Sequence, residues 1–576
     1  MRITGYFFSL VTTLFCIFLV CEFGLKLYMP ETYRGYLVEE NKDQIKWAIG
    51  PYEPSQPIEG FNTPIELNKP DNTIRIISAG ASATEGWLSA KAVFKKYGQK
   101  MEPESISSYS RVVEFDLNQI SDSSSKKVEV INLGIAAYNV TDVIRMLKDS
   151  MKLSPDLFLI HISLNETWTA ERYNWSGRLN TAIPYLFTEL GYQVFTDTRA
   201  KWRTLAPKTA SFSPVALGRG RTKPIVPEPP GRAEGLEEKL TNYNKQLELL
   251  GNFLNSANIP VLFLVPTQNL YDFQPFGSMA KTGSSAQELE DLNNLLIAAL
   301  AKPGLAAKQD YLNILELDDG VAEAHFQLGR IHSEEGSIET ARKHLWMAND
   351  RDLILKRPPS IFHEATRSFI DQHEFPSLDV MKFFESLSLN GLVGNNLLYD
   401  DVHPDRRSQF ELGTRIAESI IDLNLLPSEN YIGDLQSLPT FEDYNKWTGY
   451  NNESKGRTSY LRGAHNFYAF NRYASRMRWD PRPENFLAPV IDYLDVANRY
   501  APSDQSHLLS AQLNLFLGQR ENTRRAIKAM GCGASTDRSA QVYSVMNRAG
   551  KRIFGKANPE LLSELQQILV SEGCKQ

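Results

Sequence analysis

The sequence predicts an α/β fold with a parallel sheet covered by helices on both faces, and three observations carry that expectation. Short apolar runs recur at "TIRIISAG" (73–80), "VEVINLG" (128–134), "LFLIHISL" (157–164) and "IPVLFLV" (259–265), each rich in Ile, Val, Leu or Phe. Helix-like segments separate them; in 236–254, Leu236, Leu240, Tyr243, Leu247, Leu250 and Leu254 keep to i+3 and i+4 steps and share one face. Strands that are apolar on both faces and alternate with helices belong in a parallel sheet buried on both sides. A chain of 576 residues is also too long for one core, so further domains are expected.

In chain order, Ile3 to Cys21 carries no charge and is dominated by Phe, Leu, Val and Ile. That is about the ~20 residues needed to cross a hydrocarbon core. "LVCEFGLKLYMP" offers no small-residue cleavage site, so residues 1–28 read as an uncleaved transmembrane anchor. Arg2 on one side and Lys26 with Arg34 on the other leave its orientation open. Residues 29–70, with Pro30, Pro51, Pro54, Pro57, Pro64 and Pro70, read as a tether with one edge strand at most. The α/β domain then occupies 71–284, with a Pro-rich basic loop at 206–234, and resumes at 356–426.

Between those parts, "AEAHFQLGRIHSEEGSIETARKHLWMAND" sets Leu328, Gly329, His332, Gly336, Ala341, Leu345 and Ala348 at the offsets of a tetratricopeptide repeat. Residues 285–355 are therefore expected to be a helical insertion, with His325 and His332 as packing residues rather than ligands. Residues 427–480 read as a linking stretch and 481–576 as a helical C-terminal domain, weakly repeat-like in "VANRYAPSD" and "LNLFLGQRENTRRAI". Such helices are expected to bind a protein partner or to pack on their neighbours. Cys532 and Cys574, outside the anchor, suit either one disulfide or two buried thiols.

The net charge of −6, with Lys and Arg spread along the chain, excludes a nucleic-acid partner as the expectation. No Cys/His/Asp cluster has metal-ligand spacing and no Gly-rich phosphate loop occurs, so neither a metal nor a cofactor is expected.

The chemistry is expected at the strand ends, where open α/β sheets build their sites. Ser82 follows the strand ending at Gly80 and would sit at the head of a helix, where N–H groups favour a developing oxyanion. Alone, such a serine reads as a helix cap. Gly134 ends the second strand with an unobstructed N–H, and Asn165 ends the third with a donor amide. "LYDDVHPD" places Asp400 three residues before His403, near enough to orient the imidazole while it takes the serine proton; Asp401 is the competing carboxylate. Glu85 and Glu166 flank the site and read as exposed loop carboxylates, whereas Trp168 and Trp175 fit either a substrate pocket or burial against the sheet.

On these residues the chain resembles the SGNH (GDSL) hydrolase superfamily over residues 71–280 and 357–425, with the tetratricopeptide-like unit inserted between its third and fifth sequence blocks. The resemblance puts the block one nucleophile on Ser82, the block two glycine on Gly134, the block three asparagine on Asn165, and the block five pair on Asp400 and His403. It implies a flavodoxin-like three-layer α/β/α domain and ester chemistry through an acyl-serine, with an oxyanion hole of Ser82, Gly134 and Asn165. Two departures are Ala81 in place of the family's Asp and Ser163 in place of its block three glycine.

The expected activity is that of a membrane-anchored serine esterase or O-acyltransferase acting on an acetyl or other short acyl ester, on a surface or extracellular polysaccharide, with the domain outside the cytoplasm. The alternative is a non-catalytic anchored scaffold that binds proteins through its helices.

Overall fold

A computed structural model describes residues 65–86, 108–122, 124–135, 138–162, 165–166, 225–229, 231–281, 283–426, 434–474, 483–532, 536–553 and 559–574, with the backbone of three strands between 37 and 54. The anchor 1–28, Ser163, Trp168, Trp175 and residues 206–224 lie outside the described residues. Among the described residues no helix is long and apolar enough to cross a membrane.

The stretch expected as a tether forms four short strands, β1 Leu37–Asn41, β2 Gln44–Ile49, β3 Glu53–Pro54 and β4 Ile65–Glu66, all paired antiparallel through β2. Of its prolines, Pro54 ends β3 and Pro70 lies between β4 and β5, where no ladder N–H is needed. The main sheet follows as β5 Thr73–Gly80, β6 Lys127–Asn132 and β7 Leu157–His161. A small pair, β8 Ile225–Pro227 with β10 Ser278–Ala280, brackets β9 Val261–Val265, and β11 Ser377–Asp379 closes the list of strands. So the loop expected over 206–234 already contains a strand at 225–227 and the first turn of helix Arg232–Ala257.

The five central strands are all parallel in the order β11-β9-β7-β5-β6. Numbered along the chain this is 2-1-3-4-5, the doubly wound order whose switch point falls between the first and third strands, here β5 and β7. Alternate side chains feed two cores: Ile74, Ile76, Leu157, Leu159, Leu262 and Leu264 on one face, Ile77, Ala79, Phe158, Ile160, Val261 and Phe263 on the other. Helices Tyr109–Ile120, Val380–Leu387 and Arg406–Asp422 cover the first face. Val140–Ser150, Arg232–Ala257 and Ser360–Gln372 cover the second, where Tyr243, Leu247, Leu250 and Leu254 are buried as their spacing predicts.

The insertion comprises helices Ala286–Leu300, Lys308–Leu317, Ala322–Glu334 and Ile338–Asp350, each packed on the next. His325 is buried there, its Nδ1 2.9 Å from His344 Nδ1, consistent with a packing role. Residues 427–480 are not merely a link: they hold helices Phe441–Thr448 and Asn452–Ala474. Tyr460, Leu461, Ala464 and Phe467 face Leu487, Val490, Leu494 and Ala497 of helix Pro483–Tyr500, a seam made partly of aromatics and so faint in an aliphatic pattern. Further along, Cys532 and Cys574 form a disulfide with a Cα–Cα distance of 4.9 Å.

Candidate active site

The first part of the site is the turn after β5. Ser82 begins a helix of a single turn, Ser82–Glu85, closed by Gly86 at φ 100°. The serine thus heads a helical turn as expected, and the chain leaves that turn through a conformation that only glycine adopts readily. Ala81, at the position where the family carries Asp, is fully buried, and its carbonyl accepts from Thr84 N (3.0 Å) and Glu85 N (2.8 Å).

Gly134 packs directly on this turn: a Cβ there would lie 2.2 Å from Glu85 N and 2.6 Å from Thr84 C. Asn132, at the end of β6, ties both together, donating from Nδ2 to Thr84 O (2.6 Å) and accepting from Gly134 N at Oδ1 (2.9 Å). Beneath the turn, Tyr109 is buried and its hydroxyl donates to Thr84 Oγ1 (2.7 Å), while Ser110 Oγ donates to Ser78 Oγ (2.8 Å).

Asn165 follows β7, and its Nδ2 donates to Tyr138 O (2.7 Å). The neighbouring Glu166 is buried rather than exposed, as is Glu85. Glu166 Oε1 accepts from Val140 N, the first residue of helix Val140–Ser150, at 2.8 Å, and Oε2 has no partner. Burial pushes this carboxyl up to about 7, against the lowering effect of the Val140 N–H. Sequence gives no sign of this, since the burial comes from the helix that the carboxylate caps.

The second part is the loop before helix Arg406–Asp422. Asp400 Oδ1 accepts from Val402 N (3.0 Å) and His403 N (2.8 Å), which leaves Oδ2 to meet His403 Nδ1 at 2.7 Å. The i+3 spacing thus closes a small ring around the imidazole. Asp401 instead lies 2.7 Å from Lys356 Nζ. Burial disfavours charging His403, but the Asp400 carboxylate and Asp401 outweigh it, and its pKa ends above the usual 6.5. Its Nε2 is buried without a hydrogen-bond partner, so no bond to Ser82 is formed. Catalytic hydrogen bonds are often long before substrate binds.

Residues unmarked in the sequence hold this loop. Asn269, beyond the end of β9, donates from N to Asp401 O (2.8 Å) and from Nδ2 to Asp400 O (3.1 Å). Asn466 Nδ2 donates to Tyr399 O (2.7 Å), Arg462 lies 5.3 Å from the Tyr399 ring centroid, and Tyr399 stacks on His403 at 5.6 Å. Ser82, Gly134, Asn165 and the Asn269 clasp therefore all follow the carboxyl ends of parallel strands. Among the described residues no group of three or more His, Cys, Asp or Glu is arranged to hold a metal.

Fold and site together define a doubly wound α/β protein with a buried His–Asp pair at the carboxyl edge of its sheet. No family model and no curated protein matches the chain. Among solved structures it is similar to the acetyl xylan esterase AlAXEase, at 12% identity over 61% of this chain and 99% of that one, with a TM-score of 0.26. It is also similar to a mutant of the acetyl-xylooligosaccharide esterase Axe2 from Geobacillus Stearmophilus (13%, 60% and 94%, TM-score 0.26) and to a GDSL-like lipase from Bacteroides thetaiotaomicron (12%, 61% and 87%, TM-score 0.20). Such values assign no residue of this chain a role.

Proposed function

We propose that this protein is a serine ester hydrolase or O-acyltransferase of the SGNH (GDSL) kind. The observation that carries this reading is the 2.7 Å bond from His403 Nδ1 to Asp400, with the buried Nε2 left unpartnered. In that reading His403 Nε2 takes the Ser82 Oγ proton as Oγ attacks the ester carbonyl, and Asp400 steadies the imidazolium. His403 passes that proton to the leaving alcohol; water or a sugar hydroxyl, giving its own proton to His403, then takes the acyl group, and His403 returns the proton to Ser82 Oγ.

Ser82 N, Gly134 N and Asn165 Nδ2 are the candidate oxyanion donors. Gly134 N now donates to Asn132 Oδ1, so the reaction requires the oxyanion to compete with that acceptor, whereas the Asn165 amide has two N–H groups, of which Tyr138 O takes one.

The substrate assigned is an acetyl or other short acyl ester of a surface or extracellular polysaccharide. The Cys532–Cys574 disulfide supports a location in an oxidising compartment outside the cytoplasm, with residues 1–28 as the membrane anchor. The insertion and C-terminal helices would take a protein partner in tetratricopeptide fashion.

A second reading, a non-catalytic anchored scaffold, draws on the engaged Gly134 donor and on the unformed Ser82–His403 bond. A p-nitrophenyl acetate series with the full chain in detergent separates the two. Replacing Ser82→Ala is expected to lower kcat by roughly 10³-fold or more. Equal rates for the two proteins, or no turnover by either, overturn the enzyme reading and leave the scaffold.

A further inference from the structure

The loop bearing Asp400 and His403 is gripped from the exit of the helical insertion. Past the last insertion helix, the chain is pinned to the body: Leu353 N donates to Gly277 O (3.0 Å) and Phe276 N to Asp352 Oδ1 (2.8 Å). The Arg232 guanidinium donates to Asp352 O (2.6 Å) and Leu353 O (3.1 Å).

Two cations follow at once. Arg357, fully buried, donates to Asn269 O, and Asn269 in turn holds the carbonyls of Asp400 and Asp401. Lys356 Nζ reaches Asp401 Oδ2 at 2.7 Å, with side chains only 17% and 8% exposed, so solvent and salt screen the pair weakly.

We propose that Lys356 is a positioning residue for His403: by pairing with Asp401 it fixes the loop and balances a second negative charge beside the imidazole, which ties the insertion to the active site. This rests on the serine hydrolase reading.

The charged and titratable groups around His403 come from its own loop, the next helix, the insertion exit, where Arg357 also interacts with Asp401, and the helices Asn452–Ala474 and Pro483–Tyr500, whose Tyr493 interacts with Asp400. Asp400 and Asp401 lie on its own loop with Tyr399 stacked on the ring, and Asp405 heads the next helix. Lys356 comes from the insertion exit. Arg462, from helix Asn452–Ala474, sits over Tyr399 and lies 4.0 Å from Asp405 Oδ2. Both loop aspartates favour the imidazolium and Lys356 opposes it. Removing Lys356 therefore leaves Arg357 as the remaining cation interacting with Asp401 and makes His403 easier to protonate.

The test is an NMR titration of the His403 ring in the full chain, assigned by His403→Gln. It compares the wild type with Lys356→Met, Lys356→Arg, Asp401→Asn and the Lys356→Met/Asp401→Asn pair. The expected midpoint rises by about half a pH unit, roughly threefold in proton affinity, in Lys356→Met, and stays at the wild-type value in Lys356→Arg. Adding Asp401→Asn is expected to cancel the rise. A midpoint unmoved in Lys356→Met, or a rise that Asp401→Asn leaves in place, overturns the proposal.

If Lys356→Met does not fold, Asp401→Asn alone decides: a lower midpoint supports the pairing and an unchanged one overturns it. The titration uses no substrate, so it fails or succeeds separately from the Ser82→Ala rate test. Where turnover is measured, the acid limb of kcat/KM is expected to move with the midpoint.

Discussion

Around Ser82 most neighbours are neutral and touch through backbone: Gly134 against the 84–85 peptide, Asn132 bridging Thr84 O and Gly134 N, Tyr109 below Thr84. Around His403 the neighbours are charged side chains: Asp400 of the same loop on its ring and, from distant parts of the chain, Lys356 on Asp401 and Arg462 over Tyr399. A close-packed turn has no room for an added atom, because backbone on both sides must move. A charged loop tolerates changes of shape better than changes of charge, because the loss of one partner leaves the other buried and uncompensated. The two halves should therefore fail in different ways.

The largest effect is expected on the charged side. Asp400→Asn keeps the shape but removes the carboxylate that steadies the imidazolium. The expected loss in kcat is on the order of 10⁴-fold, the size seen for the equivalent change in the Ser-His-Asp triad. The pH profile carries a second reading. Only neutral imidazole accepts the serine proton, and the His403 pKa lies above 6.5, so kcat/KM should rise with pH through a midpoint above 6.5. In Asp400→Asn any residual rate should show that midpoint displaced downward, since the largest raising influence is gone. A variant with wild-type rate and midpoint would break the contrast at its charged end.

The sequence made the two halves unequally legible. β5, β6, β7 and β9 stand out as short runs rich in Ile, Val, Leu or Phe, whereas β11, three residues long with a charged end, carries no periodic signal. The Asp400–His403 pairing is local, and a spacing of three suffices to find it. Its supports are not local: Asn269 lies 131 residues from Asp400, and Asn466 lies 67 from Tyr399. No pattern in one sequence links such positions. Glu85 and Glu166 look like exposed loop carboxylates in the sequence, yet both are buried. The N-terminal strands were hidden by prolines, which mark the ends of short edge strands as well as they mark a tether.

On the close-packed side, Gly134→Ala tests whether the turn is held by steric contact. The new Cβ would lie 2.2 Å from Glu85 N and 2.8 Å from Glu85 Cα, where no flexible side chain can yield. Overpacking of this kind costs about 1–3 kcal/mol, to be measured by urea unfolding, and the displaced turn should also lower kcat. Unchanged stability would mean that the Ser82 turn is free to shift.

The smallest effect comes from Glu166, a carboxyl buried on the nucleophile side. Glu166 holds its proton up to about 7 when folded, against the ordinary glutamate value of 4.5 in the unfolded chain. The folded state thus binds more protons between those values, so its stability falls as pH rises through that window and levels off above about 7. Glu166→Gln keeps an oxygen for Val140 N–H while removing the buried charge. Its stability relative to wild type should therefore be near constant below pH 4.5 and improve by about 1–3 kcal/mol at pH values above 7, read from urea midpoints at both ends. A pH-independent difference would show that Glu166 titrates as an ordinary carboxylate. Glu166, next to Asn165, would then be fully charged at neutral pH rather than about half protonated, and the contrast between the two sides would weaken there.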